Sequence, residues 1–144
     1  MSSQTSKTLH ANCVAIDGKG LLILGASGTG KSTLTLQMMA IGADLVSDDQ
    51  TTISLAGNCI KAEAPIAIKG LIEARGVGIL TVPSIHSATI IAIVDLDYIE
   101  AERLPRPLTR LLMGISLPCL HSVDCIGFPS GLLHYLRHGR QDVS

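Results

Sequence analysis

The stretch "GASGTGKST", Gly25 to Thr33, follows directly on the apolar run "LLIL". It fits the spacing G-x-x-x-x-G-K-[ST], with Gly25, Gly30, Lys31 and Ser32 at the fixed positions. A turn so rich in small residues lets backbone approach a ligand closely. The N–H groups of Gly25, Ala26, Ser27, Gly28, Thr29, Gly30, Lys31 and Ser32, gathered where a helix begins, offer donors to an anion. Lys31 adds a fixed positive charge for the outer phosphates of a nucleotide, and the Ser32 hydroxyl suits Mg²⁺. A glycine turn without a ligand has no use for the Lys31-Ser32 pair.

Downstream, "LVSDD" (Leu45 to Asp49) is a hydrophobic strand ending in two acids. Phosphate-loop proteins commonly hold Mg²⁺ or its waters with an acid placed this way. Two adjacent acids exceed what metal holding needs. One carboxylate can serve the metal while the other takes a proton from an attacking hydroxyl, as general base. Neighbours in a regular strand point to opposite faces, so joint action of Asp48 and Asp49 requires the strand to end there. Which of them is the base stays open, and a solvated Asp-Asp-Gln turn is the plain alternative. Further on, Glu73 and Arg75 followed by Gly76 and Gly78 in "IEARGVGI" fit a loop packed on a phosphate or metal. They fit a salt-bridged turn equally well.

The elements that must position these groups can be read from turns and periodicity. Asp17-Gly18 joins two strands in "NCVAIDGKGLLILG", the second feeding the glycine turn. The spacing of Leu34, Leu36, Met38, Met39 and Ile41 predicts a helix from near Ser32 to Gly42. Leu45 to Ser47 reads as a short buried strand, and "TTISLAGNCIKAE" as a hairpin turning at Gly57-Asn58. In "APIAIKGLIEARGVGIL", Pro65 and three glycines predict loop and short helix around a site. "ATIIAIVDL" is a buried strand, followed by the charged, proline-bounded connection "EAERLPRP". "PLTRLLMGI" and "PSGLLHYLRHG", each with Pro near its start, are predicted helices.

The length of 144 residues fits one domain, residues 1–144, and 47% hydrophobic residues with 2% aromatic predict an aliphatic core. A net charge of −1 without a basic run gives no nucleic-acid footprint. The apolar runs are too short for a membrane span, and the N-terminus has no apolar signal core. None of the four cysteines forms C-x-x-C, which suits buried thiols in a reducing cytoplasm. His134 and His138 lack a third metal ligand, His86 and His121 lack a partner, and Arg106 and Arg110 read as a solvated face.

Taken together, the three motifs resemble the C-terminal kinase domain of HPr kinase/phosphorylase. The resemblance runs from His10 to about Leu120 and is most specific in Glu73 to Ile79. It implies an α/β fold, a phosphate loop on a mixed twisted sheet related to phosphoenolpyruvate carboxykinase. It implies a homo-oligomer that uses ATP and Mg²⁺ to phosphorylate a serine of the phosphocarrier HPr, in the sugar phosphotransferase system, and often reverses the reaction with inorganic phosphate. Carried over by residue, the family's histidine matches His10, its lysine Lys31 and its proton-shuttling aspartate Asp49, with Asp48 beside it. Its magnesium ligands match Ser32 and Glu73, and its phosphate-binding arginine matches Arg103 in "AERLP". The family's long N-terminal domain has no counterpart here, so a short form is expected. "SLPCLHSVDC" lacks the basic character of the family stretch tied to dephosphorylation, which predicts a forward reaction that exceeds the reverse. The alternatives are a small-molecule kinase with the same loop and a nucleotide-binding regulatory module without transfer activity.

Overall fold

The computed structural model describes residues 6–142. In chain order its elements are β1 (Ser6–Leu9), β2 (Ala11–Ile16), β3 (Lys19–Leu24), α1 (Lys31–Ala40), β4 (Asp44–Ser47), β5 (Thr51–Ala56) and β6 (Cys59–Glu63). There follow a single 3-10 turn (Ile66–Ile68), β7 (Leu71–Ala74), β8 (Gly78–Thr81), β9 (Ala88–Ile99), β10 (Thr109–Leu112), β11 (Ile115–Ser122) and α2 (Phe128–His138).

β9 organises the sheet because it is long enough to serve two neighbours along one edge. Its start pairs antiparallel with β6 through Lys61 and Ala62, and its second half pairs parallel with β11 from Cys119 onward. The other edge runs parallel to β3, with Leu24 opposite Asp95. From there the order is β3-β2-β4 on one side and β9-β6-β5-β1 on the other. The result is a mixed α/β sheet whose parallel strands β3, β9 and β11 end along one rim.

Strand alternation divides the core into two layers. Val14, Leu21, Ile23 and Val94 face α1 and α2, meeting Leu34, Met38, Leu132 and Leu136. Cys13, Leu22 and Ile93 face the opposite way, against Ile53, Ile60 and the β10–β11 hairpin. A bulge in β9, where Gly20 lies opposite Ile90 but Leu21 opposite Ala92, puts Ile91 and Ala92 on the same helix-covered side. α2 ends with Arg137 and His138 in its last turn, where positive charge complements the helix dipole.

Both hairpins expected at Asp17-Gly18 and Gly57-Asn58 are present, as are both the helix after the glycine turn and the C-terminal helix. "PLTRLLMGI" is not a helix. It forms β10 and a two-residue turn into β11, with Leu112 paired to Ile115. Met113 and Gly114 take φ of +50° and +81°, the left-handed pair that a tight hairpin turn demands. The segment read as loop and short helix keeps only the 3-10 turn; the rest is the β7–β8 hairpin. β1, which the sequence did not announce, extends the sheet by pairing with β5, where Thr8 and Thr52 hydroxyls lie 2.9 Å apart.

Candidate active site

β3 ends at Leu24 and hands the chain to a loop whose glycines are there for shape. Gly25, Gly28 and Gly30 have φ of +151°, +87° and +100°, which side chains other than glycine rarely adopt. A Cβ at Gly25 would lie 2.5 Å from Thr29 Oγ1 and 3.2 Å from Leu96 Cβ. Thr29 closes the turn, its N–H and hydroxyl both donating to Ala26 C=O at 3.2 and 2.7 Å. Lys31 is 7% exposed, and its Nζ donates to Gly25 C=O at 2.7 Å and Ala26 C=O at 3.2 Å. Its ammonium is thus held against the loop itself. The N–H groups in the first turn of α1 have no acceptor within the helix.

The two aspartates after β4 have opposite surroundings. Asp48 is 8% exposed and fully engaged. Its Oδ1 accepts from Ser32 Oγ and from Asn12 Nδ2, both at 2.7 Å, and its Oδ2 accepts the Glu73 N–H at 3.0 Å. The Asp49 side chain is 63% exposed, and its Oδ1 lies 2.8 Å from His10 Nε2, an ion pair when the ring is protonated. The chain between them turns sharply. Asp49 has φ +68°, and Gln50 N–H donates to Asp48 C=O at 2.8 Å. A three-residue turn of this kind is rare and strained, at a cost of about 1–3 kcal/mol. Asn12 Oδ1 accepts the Asp49 N–H at 2.9 Å, and Ser47 Oγ donates to Gln50 C=O, so the strained turn is clamped from both sides.

A cavity of about 420 Å³ gathers His10, Lys31, Ser32, Asp49, Glu73 and Arg75 around these groups. Ser32, Asp48 and Glu73 all line an adjoining cavity, and hydroxyl and carboxylate oxygens are the donors Mg²⁺ prefers. Among the described residues no three His, Cys, Asp or Glu side chains cluster to cage a metal.

The loop is held from its other side as well. Asp97 Oδ1 accepts the Ala26 N–H at 2.9 Å, and the Asp97 N–H donates to Asp95 Oδ1 at 2.9 Å. Asp95 is buried, and its Oδ2 accepts from Arg110 Nη1 at 2.6 Å.

The geometry brings together all the predicted site residues except one. Arg103 sits on the exposed connection between β9 and β10 and does not line the cavity. The proline-bounded segment carries it away beyond the end of β9, whereas the β7–β8 hairpin folds back and delivers Arg75. Arg110, expected on a solvated face, is instead the partner of buried Asp95. The sequence reading missed Asn12, Asp95 and Asp97. A polar Asn inside the fully buried strand "NCVAI" was the available signal for the first. The remaining histidines take no part: His86 Nδ1 lies 3.0 Å from Lys69 Nζ, His121 packs on Tyr98, and His134 stacks on His138.

Fold and cavity define a phosphate-loop α/β protein. Comparison with known proteins narrows this. The family model described as HPr Serine kinase C-terminal domain matches residues 2–97. The chain is 41% identical over 78 residues to the HPr kinase/phosphorylase of Mycoplasmopsis pulmonis, covering 54% of this chain and 25% of the relative. It is 34% identical over 122 residues to that of an Acidovorax species, covering 75% and 38%. The solved Hpr(Ser) kinase/phosphatase from Coxiella burnetii superposes with a TM-score of 0.76 at 26% identity, over 91% of this chain and 94% of that one. The chain belongs to the HPr serine kinase C-terminal domain family. It spans between a quarter and two-fifths of the length of these two curated relatives. No helix among the described residues is long and apolar enough to cross a membrane.

Proposed function

We propose that the chain is an ATP- and Mg²⁺-dependent kinase that phosphorylates a seryl hydroxyl of an HPr-type phosphocarrier protein. The observation that carries this reading is Asp49: an exposed carboxylate, paired with His10 and held in a strained turn, in the same cavity as Lys31. A protein that only bound nucleotide would have no use for a carboxylate so placed.

In this reading the loop N–H groups and Lys31 hold the outer phosphates, where phosphoryl transfer depends on positioning and charge neutralisation. Ser32, Glu73 and Asp48 hold Mg²⁺, directly or through its waters. When bound, the ion neutralises charge on the phosphates as the γ-phosphoryl leaves. Asp49 Oδ accepts the seryl proton, and His10 orients that carboxylate. Arg75 lies where a second cation can meet the transferred group, the part first given to Arg103. The relatives' names, HPr kinase/phosphorylase, support the substrate. The stretch Leu117 to Asp124, with an acid and no Lys or Arg, supports a forward rate well above the phosphate-driven reverse rate. Homo-oligomeric assembly and a cytoplasmic setting belong to the same proposal.

The test is incubation with labelled ATP and Mg²⁺, offering purified HPr on one arm and a metabolite panel on the other. Label on an HPr serine is the expected result. Label on a metabolite alone, or on nothing while ATP still binds, overturns it.

A further inference from the structure

Asp95 and Asp97 stand two apart near the end of β9, where the strand leaves its ladder with β11. His121 lies opposite Asp95, but the next pair is Ser122 opposite Ile99. Leu96, Asp97 and Tyr98 are therefore extra residues on β9, a bulge. It falls where β3 stops and the phosphate loop begins, since Leu24 lies opposite Asp95. Bulges re-aim side chains and are common beside active sites. This one turns Asp97 toward the loop, where its Oδ1 accepts the Ala26 N–H at 2.9 Å.

The bulge is fixed from below. Neither register gives Asp97 a strand partner, and its N–H donates instead to Asp95 Oδ1 at 2.9 Å. A side-chain oxygen that takes the N–H two residues on holds the backbone between them in one shape. The other oxygen of Asp95 accepts from Arg110 Nη1 at 2.6 Å, and the Asp95 side chain is only 5% exposed. A carboxylate so buried needs its cation, because an unpaired charge there is costly. At the far end of the bulge Tyr98 packs on His121, with ring centroids 5.2 Å apart.

We infer that Asp95 and Arg110 are positioning residues for the nucleotide: by fixing the bulge they keep Asp97 on the Ala26 N–H and hold the loop in its binding shape. Neither residue lines the cavity around Lys31, so both act through Asp97. The inference rests on the proposed reading of the phosphate loop. Arg110 belongs to β10, beyond the residues 2–97 matched by the family model. The loop thus draws support from a strand outside the matched stretch.

The test is a double-mutant cycle on ATP affinity, read by calorimetry, beside turnover and chemical denaturation. An Asn side chain has one oxygen for two donors, so Asp95→Asn must give up either the Asp97 N–H or Arg110. Asp95→Asn and Asp97→Ala should each weaken ATP binding about five-fold, the worth of one hydrogen bond. Turnover at saturating ATP should stay within about two-fold. The double variant should also bind about five-fold more weakly, because both changes release the same contact, whereas independent sites would give about 25-fold. Arg110→Met, which keeps the length and loses the donors, should match Asp95→Asn, and Arg110→Lys should restore the affinity. Hydrogen exchange in the unmodified protein is the arm that needs no variant: the Ala26 and Asp97 amides should both be slowed about ten-fold or more. Additive losses, an Asp95→Asn protein that folds and binds ATP normally, or free-peptide exchange at either amide overturns this inference alone. No ATP binding by the unmodified protein overturns the phosphate-loop reading and this inference with it.

Discussion

Two hydrogen-bond networks reach the phosphate loop from opposite sides, and they are built differently. On the side of β2 and β4, Asn12 links Asp48, Asp49 and Thr35 through a wholly buried amide. On the side of β9, a buried Asp95–Arg110 pair leads through Asp97 to a single bond on the Ala26 N–H. The first network fixes the side chains proposed to carry the chemistry, down to holding one of them in a strained backbone. The second touches only backbone and sets where the loop sits. Loss of the first should therefore damage turnover, and loss of the second should damage affinity.

Lys31 lies on the loop between the two networks, so its removal should produce the largest effect. Lys31→Ala deletes the fixed cation that both networks position, and loss of such charge stabilisation is worth ~3 kcal/mol or more in the transition state. Calorimetry and transfer assays should both collapse; unchanged turnover would detach the chemistry from the loop altogether.

Asn12→Ala comes next. It strips buried Asp48 of one donor and leaves the half-buried Asp49 N–H without its acceptor, a loss of about 1–3 kcal/mol in folding stability. Chemical denaturation should report that loss. The turnover number should fall with the freed Asp49 turn while the ATP dissociation constant moves little. A variant that loses ATP affinity and keeps its turnover would reverse the two networks' roles.

The smallest effect is expected at Asp97, whose bond to Ala26 is exposed. Asp97→Ala should raise the KM for ATP a few-fold, in line with a single solvent-exposed hydrogen bond worth about 1 kcal/mol, with kcat and stability close to unchanged. Asp97→Asn, which keeps the acceptor oxygen, should restore the KM. A fall in kcat without a change in KM would place Asp97 among the reacting groups.

The sequence made one of these networks partly legible and hid the other. Gly25, Gly30, Lys31 and Ser32 stand at fixed spacing, and Asp48-Asp49 end an apolar strand, so both announce themselves locally. The hairpins at Asp17-Gly18 and Gly57-Asn58 were readable because their turn dipeptides favour positive φ. Asn12 lay hidden in an apolar strand, since its role exists only once β2 is set beside β4. Asp95, Asp97 and Arg110 come from β9 and from β10, a strand misread as helix. Leu108, Leu111 and Leu112 can follow helical spacing over so short a run, and the deciding feature is a Met113 backbone at φ +50°. No propensity points to that. Arg103 was carried over by resemblance and lies on the exposed β9–β10 connection, while Arg75, which no sequence reading singled out for a role, lines the cavity.

The central claim is that Asp49 takes the seryl proton while Asp48 holds Ser32 and the β7 backbone in place. Single-turnover transfer from labelled ATP to HPr, with Asp49→Asn and Asp48→Asn compared at saturating ATP and Mg²⁺, tests it directly. Asp49→Asn keeps the shape but cannot accept the proton, so it should bind ATP normally and transfer roughly 10²–10⁴ times more slowly. Asp48→Asn should lose less rate and recover part of it as Mg²⁺ is raised. If Asp48→Asn is the slower of the two at every Mg²⁺ concentration, the assignment of the two carboxylates is contradicted.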